Sequence, residues 1–269
     1  MLRRRPGRLK ALPVNSLIPN ILTVLALCAG MTAIRFALQE RWELAAYAIV
    51  VAAILDGLDG RMARLLKGAT KFGAELDSLS DFVAFGVAPA VILYLWSVQA
   101  LGGVGWVAAL AFATSCALRL ARFNTALEAE TDEPAWSKDY FIGVAAPAGA
   151  CFALLPMVIS FQIGRDIVDN PVFTAVWLLF IAYLMISRIP TYSFKLLRIR
   201  RDYVLATLVV VGLGAAVTVS YPYFTYTIVV LAYLGSVPFS FMAYRRLANG
   251  GEDKAPAAKT EEGADKDGG

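Results

Sequence analysis

The sequence predicts an all-α, polytopic membrane protein with about eight transmembrane helices. Three observations carry this reading. Of 269 residues, 58% are apolar and only 17% charged, whereas a water-facing globule carries about 25% charge. Eight windows of mostly apolar residues recur along the chain, each close to the ~20 residues that a helix needs to cross a bilayer. Finally, Lys and Arg are concentrated in alternate connections between those windows, as the positive-inside bias requires.

The first window, near 16–37, follows Arg3, Arg4, Arg5, Arg8 and Lys10. A cleaved signal is not expected. Leu27 precedes Cys28 where a lipoprotein signal needs a small residue, and the apolar run continues past it. The second window, near 43–66, ends in a run rich in Asp and Gly. The third, near 76–99, opens on further acids. The fourth, near 104–123, closes on Arg119 and Arg122. The fifth and sixth lie near 140–163 and 171–189. The seventh and eighth, near 203–220 and 223–245, are joined at Tyr221-Pro222-Tyr223. With the N-terminus in the cytoplasm, 22 of the 25 basic residues fall inside, and only Arg35, Arg41 and Arg165 outside. Both termini are therefore expected in the cytoplasm of a multi-pass protein of the cell (inner) membrane. A basic N-terminal segment 1–15 leads into a membrane core at 16–200 and two additional helices at 201–247. The tail, 248–269, is too polar to bury a core and reads as disordered.

The net charge is +4, but the basic residues flank membrane spans, which points to lipid and away from nucleic acid. The sequence contains no histidine. Histidine-ligated metals and histidine-based triads are thereby excluded, and a carboxylate is the most plausible general base. Cys28, Cys116 and Cys151 stand singly in apolar stretches and read as small buried hydrophobes.

The chemistry-bearing residues lie where the second and third helices meet. Asp56, Asp59, Gly60, Ala63 and Arg64 share one helical face, as do Gly73, Asp77 and Asp81. The short connection at 66–74 makes the two helices antiparallel neighbours, so that two pairs of aspartates face one another. Carboxylates in a span are costly unless they are paired, hydrated or bound to a cation. Four acids against two arginines favour a cation over a plain Asp–Arg network, and oxygen ligands suit Mg, Mn or Ca. Two such ions would clamp a pyrophosphate. Gly60 and Ala63 leave the helix face bare for a flat group, and Arg64 supplies a planar donor. A divalent-cation transporter is the rival of another class. It would spread acids through the membrane depth or break helices at the midplane, whereas these acids cluster toward one face.

The same residues resemble, without a gap, the signature D-x-x-D-G-x-x-A-R-x8-G-x-x-x-D-x-x-x-D of the CDP-alcohol phosphatidyltransferases, class I. That resemblance implies a six-helix membrane core, a homodimer, and transfer of a phosphatidyl group from CDP-diacylglycerol to an alcohol with release of CMP. It implies that Asp56, Asp59, Asp77 and Asp81 bind two divalent ions, Mg or Mn, and that Asp81 is also the catalytic base. It places Asn20 and Thr23, in Pro19-Asn20-Ile21-Leu22-Thr23, at the cytidine site. Gly60, Ala63, Arg64, Thr70 and Gly73 complete the expected CDP-diacylglycerol contacts.

Four further segments resemble the branch of the family that uses L-serine. They are Asp77–Asp81 with Phe85–Ala90, Leu118–Asn124, Phe141–Ala148 and Ser187–Lys195. Ala145 stands where relatives often carry a second proline. The acceptor-binding candidates are Ser78, Arg119, Arg122, Asn124 and Lys195. Arg119 and Arg122, three residues apart at a helix end, suit a carboxylate, but they equally suit membrane anchoring. A phosphate-bearing acceptor would want the same basic cluster. Glycerol 3-phosphate and choline therefore remain alternative acceptors, as in phosphatidylglycerophosphate and phosphatidylcholine synthesis. The last two windows carry little family signal.

Overall fold

The computed structural model describes residues 14–66, 68, 70–128, 140–164, 170–187, 190–192 and 204–236. The basic N-terminus, Lys195 and the polar tail lie outside them. The helices are α1 (Val14–Leu38), α2 (Trp42–Leu65), α3 (Lys71–Asp81), α4 (Ala88–Trp96), α5 (Gly103–Glu128), α6 (Ala146–Ile163), α7 (Pro171–Ile186) and α8 (Val204–Ser220), followed by α9 (222–236). A π-helical turn, Phe82–Val87, joins α3 to α4 into one continuous rod. Eight helical rods thus follow in the expected order among the described residues.

Four of them are long and apolar enough to cross a bilayer: Leu17–Leu38, Lys71–Trp96, Gly103–Thr125 and Ala146–Ile163. The 24-residue α2 is long enough, but Asp56, Asp59, Arg61 and Arg64 interrupt its second half. With 16 residues, α7 is shorter than a typical span.

Two boundaries depart from the expectation. The third rod begins at Lys71, not near 76, which shortens its connection to α2. Thr70 is its N-cap: extended (φ −130°, ψ 154°), it accepts a hydrogen bond from the Gly73 backbone N–H through Oγ1 at 3.0 Å, satisfying a donor that the first turn leaves free. The fifth rod begins at Ala146, not near 140. Ala145 is extended and Pro147 occupies the first turn, as proline prefers. Ahead of it, β1 (Tyr140–Ile142) pairs antiparallel with β2 (Pro190–Tyr192), Phe141 opposite Thr191. Among the described residues these two are the only strands, and short turns join the helices.

Small residues let the rods approach closely. Ala33 and Ala37 of α1 and Ala45, Ala46 and Ala52 of α2 are buried where these two helices run together. Gly30 lies so near the π turn that a Cβ there would stand 2.7 Å from Ala84 Cα. A Cβ on Gly86 would stand 3.0 Å from Cys116 Cβ on α5. The deep core comprises Phe85, Ile92 and Leu93 of the third rod, Phe112 of α5, Phe152, Leu154 and Met157 of α6, and Leu178, Ile181 and Met185 of α7. Helix α9 lies against α6: Tyr226 Oη donates to the Cys151 carbonyl at 2.6 Å, and Gln162 Nε2 donates to Thr227 Oγ1 at 2.8 Å.

Candidate active site

Helices α1, α2 and α3 meet at one end of the bundle, and their polar residues converge there. Carboxylate oxygens of Asp56, Asp59 and Asp77 all lie within 4.8 Å of one another. Asp59 is 5% exposed, and Asp56 and Asp77 are half-buried. Asp81, one helical turn beyond Asp77, brings its carboxyl group beside that of Asp56. The four aspartates therefore form a tight trio and a fourth member docked on one side, where the sequence suggested two facing pairs. Three convergent carboxylates with no paired base inside the trio make an all-oxygen donor set that fits a hard divalent cation.

The trio is held by buried hydroxyl groups. Thr23 Oγ1 donates to Asp59 Oδ2 at 2.8 Å, with its own helix's Pro19 carbonyl at 3.1 Å as the other acceptor in reach. Ser80 Oγ donates to the Thr23 carbonyl at 3.0 Å. This chain of bonds ties α2 to α1 and α1 to α3. Ser80 is only 2% exposed, and the sequence reading assigned it no role. A buried serine beside two aspartates on an amphipathic turn was the available signal.

A cleft of about 190 Å³ opens beside the trio, lined by Pro19, Asn20, Thr23, Asp59, Gly60, Ala63, Gly68, Thr70, Gly73, Ala74 and Asp77. Six of the seven expected nucleotide contacts are in this lining. Gly60 has nothing within 4 Å of where a Cβ would stand, so its face is bare. Gly73 is the reverse case: a Cβ there would meet Asn20 Oδ1 at 2.8 Å. Arg64 is the exception, because it is exposed and folds back along α2, its Nε donating to the Gly60 carbonyl at 3.0 Å.

The acceptor candidates divide. Asn124 Nδ2 donates to Ser78 Oγ at 2.8 Å, linking α5 to α3. Arg119 lies close enough for its charge to act on both Asp56 and Asp81, and its Nε is buried without a hydrogen-bond partner. Arg122 has a structural bond, Nη1 to the Ile186 carbonyl at the end of α7 at 2.8 Å, while its Nη2 is buried and unpartnered. Gly143, at φ +80°, packs beside that Nη2 and against the carbonyls of Met185 and Ser187. A side chain is strained there in both conformation and space.

Residues 16–187 match the CDP-alcohol phosphatidyltransferase family, and 202–238 match a second group described as CDP-alcohol phosphatidyltransferase 2. The chain belongs to the CDP-alcohol phosphatidyltransferase family. The second match covers α8 and α9, where the sequence reading found little family signal. The chain is 39% identical over 232 residues to a CDP-diacylglycerol–serine O-phosphatidyltransferase of Mycobacterium tuberculosis, covering 86% of this chain and 80% of the relative. It is 39% identical over 244 residues to the enzyme of that name from Mycobacterium leprae (91% and 80%). It is 33% identical over 179 residues to the one from Bacillus subtilis (66% and 91%).

Proposed function

We propose that this enzyme transfers the phosphatidyl group of CDP-diacylglycerol to the hydroxyl of L-serine, giving phosphatidylserine and CMP. The observation that carries the proposal is the Asp56–Asp59–Asp77 trio opening onto the cleft lined by Asn20, Thr23, Gly60, Ala63, Thr70 and Gly73. The relatives named for serine supply the acceptor. In this reading the cleft takes the cytidine and ribose, with the bare Gly60 face allowing a flat ring to lie against backbone. The diphosphate then lies over the trio.

A pair of Mg or Mn ions held by the four aspartates would offset the charge of the diphosphate and of the departing CMP. Asp81 takes the proton of the serine hydroxyl as that oxygen bonds to the phosphorus bearing the diacylglycerol. The bond from that phosphorus to the bridging oxygen breaks, and the electron pair leaves with CMP. Asp81 suits this role because it is the one of the four aspartates that lies outside the trio. Arg119 Nε, buried and unpartnered, then receives the serine carboxylate. Thr23 and Ser80 hold Asp59 in place while this happens.

The Lys and Arg distribution supports a multi-pass protein of the inner membrane with this site at the cytoplasmic face and eight spans. The family resemblance supports a homodimer. The deciding experiment gives purified protein CDP-diacylglycerol with Mg or Mn, and offers serine, glycerol 3-phosphate, inositol and choline separately while CMP release is followed. Serine alone should support release. Release with another alcohol in place of serine would replace the acceptor and leave the shared chemistry standing.

A further inference from the structure

At the opposite end of the bundle lies a second polar site that the phosphatidyl-transfer chemistry does not use. A cleft of about 580 Å³ is lined by Glu40, Arg41, Trp42, Glu43, Leu44, Trp96, Ser160 and Phe161. It lies where the α1–α2 turn meets the ends of α4 and α6. Along α2, Glu43 is about 24 Å from Asp59 at the ~1.5 Å rise of a helical residue. The two sites are separate.

Its charges are arranged in an unusual way. Arg41 sits between two acids in sequence, yet its guanidinium packs over the Phe36 ring, 5.5 Å from the centroid. Among the described residues it forms no ion pair with Glu40 or Glu43. Glu43 lies near the Tyr223 hydroxyl, and Glu40, at φ +58°, is the left-handed residue that ends α1. The Glu40 N–H bonds the Ala37 carbonyl at 3.0 Å and that of Arg41 bonds the Phe36 carbonyl at 2.9 Å, the usual close of a helix, and this turn presents Glu40 and Arg41 at the cleft. One cation and two anions are thus displayed apart from one another, and two tryptophans stand beside them. A mainly apolar groove of about 760 Å³ shares Phe161 with this cleft and is lined further by Gln162, Val217, Tyr221 and Phe224. Tryptophan and tyrosine at this level are what a bilayer interface selects.

We propose that this end of the molecule binds a zwitterionic phospholipid from the leaflet opposite the acidic trio. Arg41 takes the phosphate, Glu40 and Glu43 take the ammonium group, and an acyl chain follows the groove from Phe161 to Phe224. Separated charges of both signs match a head group that carries both. A purely anionic head would leave Glu40 and Glu43 opposing it, since like charges at close range repel.

The test uses the full chain, delipidated in detergent and titrated with phosphatidylethanolamine or phosphatidylglycerol, with bound lipid counted by native mass spectrometry. Saturating CDP-diacylglycerol and Mg are present throughout to occupy the acidic site. The wild type should retain phosphatidylethanolamine about 10-fold better than phosphatidylglycerol, the effect of one lost charged hydrogen bond. Arg41→Gln should lower retention of both lipids by a similar factor, and Arg41→Lys should recover part of it. Glu40→Gln with Glu43→Gln should abolish the preference, so that phosphatidylglycerol binds as well as phosphatidylethanolamine. CMP release by each variant reports that it is folded. Equal retention of the two lipids by the wild type would overturn the proposal, as would a preference that survives the double substitution in a folded protein.

Discussion

Thr23 Oγ1 donates a 2.8 Å hydrogen bond to Asp59 Oδ2, and both residues are buried, on different helices. A hydroxyl has one proton, and the Pro19 carbonyl competes for it at 3.1 Å. Donation to Asp59 fixes which carboxylate oxygen remains free for a cation. Thr23→Val keeps the shape and removes the donor. It should weaken activation by Mg about 10-fold, within the usual range for a hydrogen bond to a charged group. Thr23→Ser should stay near wild type. The measurement is the Mg dependence of CMP release. If the valine variant shows an unchanged Mg midpoint, the hydroxyl does not position Asp59.

The trio predicts an absolute need for a divalent cation. Metal-free protein in excess EDTA should release no CMP, and Mg or Mn should restore release. Asp56→Asn and Asp77→Asn should each abolish turnover, because each removes an anionic ligand from a site whose members lie within 4.8 Å of one another. Full activity of protein shown to be metal-free would sink the metal-assisted reading.

Asp81 lies beside the trio and not within it, and its variant should behave differently. Asp81→Asn keeps size and one oxygen but cannot accept the serine proton. Loss of a general base costs roughly 10²–10⁴ in rate. CDP-diacylglycerol affinity should change much less, since the cleft is lined by other residues. Near-normal turnover in this variant would move the base elsewhere.

Two glycines of the shared motif should respond to alanine in contrasting ways. At Gly73 a new Cβ would stand 2.8 Å from Asn20 Oδ1, closer than real Cβ contacts, so Asn20 must shift. Gly73→Ala should raise the KM for CDP-diacylglycerol and also perturb the free protein's stability. At Gly60 the same change meets nothing within 4 Å. Gly60→Ala should leave thermal stability unchanged and raise KM only because the nucleotide needs that space. If Gly60→Ala leaves KM unaltered, the ring does not lie on this face.

The helical rods were legible from hydropathy because crossing a bilayer imposes a length on each apolar run. The aspartates were legible because intramembrane charge is costly and their three- and four-residue spacing selects one helix face. Other features depend on contacts between distant segments. Phe82–Val87 reads as ordinary apolar helix, and nothing local marks the π turn. Its close neighbours are Gly30, 54 residues before Ala84, and Cys116, 30 residues after Gly86. The start of α3 was misplaced for a more local reason. A threonine three residues before Gly73 suits a loop hydroxyl as well as a helix cap, and only the folded chain decides between them. The β1–β2 pairing joins segments 50 residues apart, and each strand is too short for alternation to register.

Arg119 and Arg122 looked equivalent in sequence, and the structure separates them. Arg122 Nη1 already serves the Ile186 carbonyl, so Arg122→Gln should loosen the end of α7 and lower thermal stability along with activity. Arg119 Nε has no hydrogen-bond partner, and the guanidinium charge acts on Asp56 and Asp81. If it receives the serine carboxylate, Arg119→Gln should raise the serine KM by roughly 10- to 150-fold, the equivalent of ~1.5–3 kcal/mol for a lost charged hydrogen bond. The KM for CDP-diacylglycerol should barely move. Arg119→Lys should recover only part, because an ammonium group cannot present the planar fork of a guanidinium. Serinamide, which lacks the carboxylate charge, should react poorly with the wild type and little worse with Arg119→Gln. A serine KM unchanged in Arg119→Gln, with thermal stability intact, would leave the guanidinium as a counter-charge to the aspartates. The carboxylate would then have to bind elsewhere.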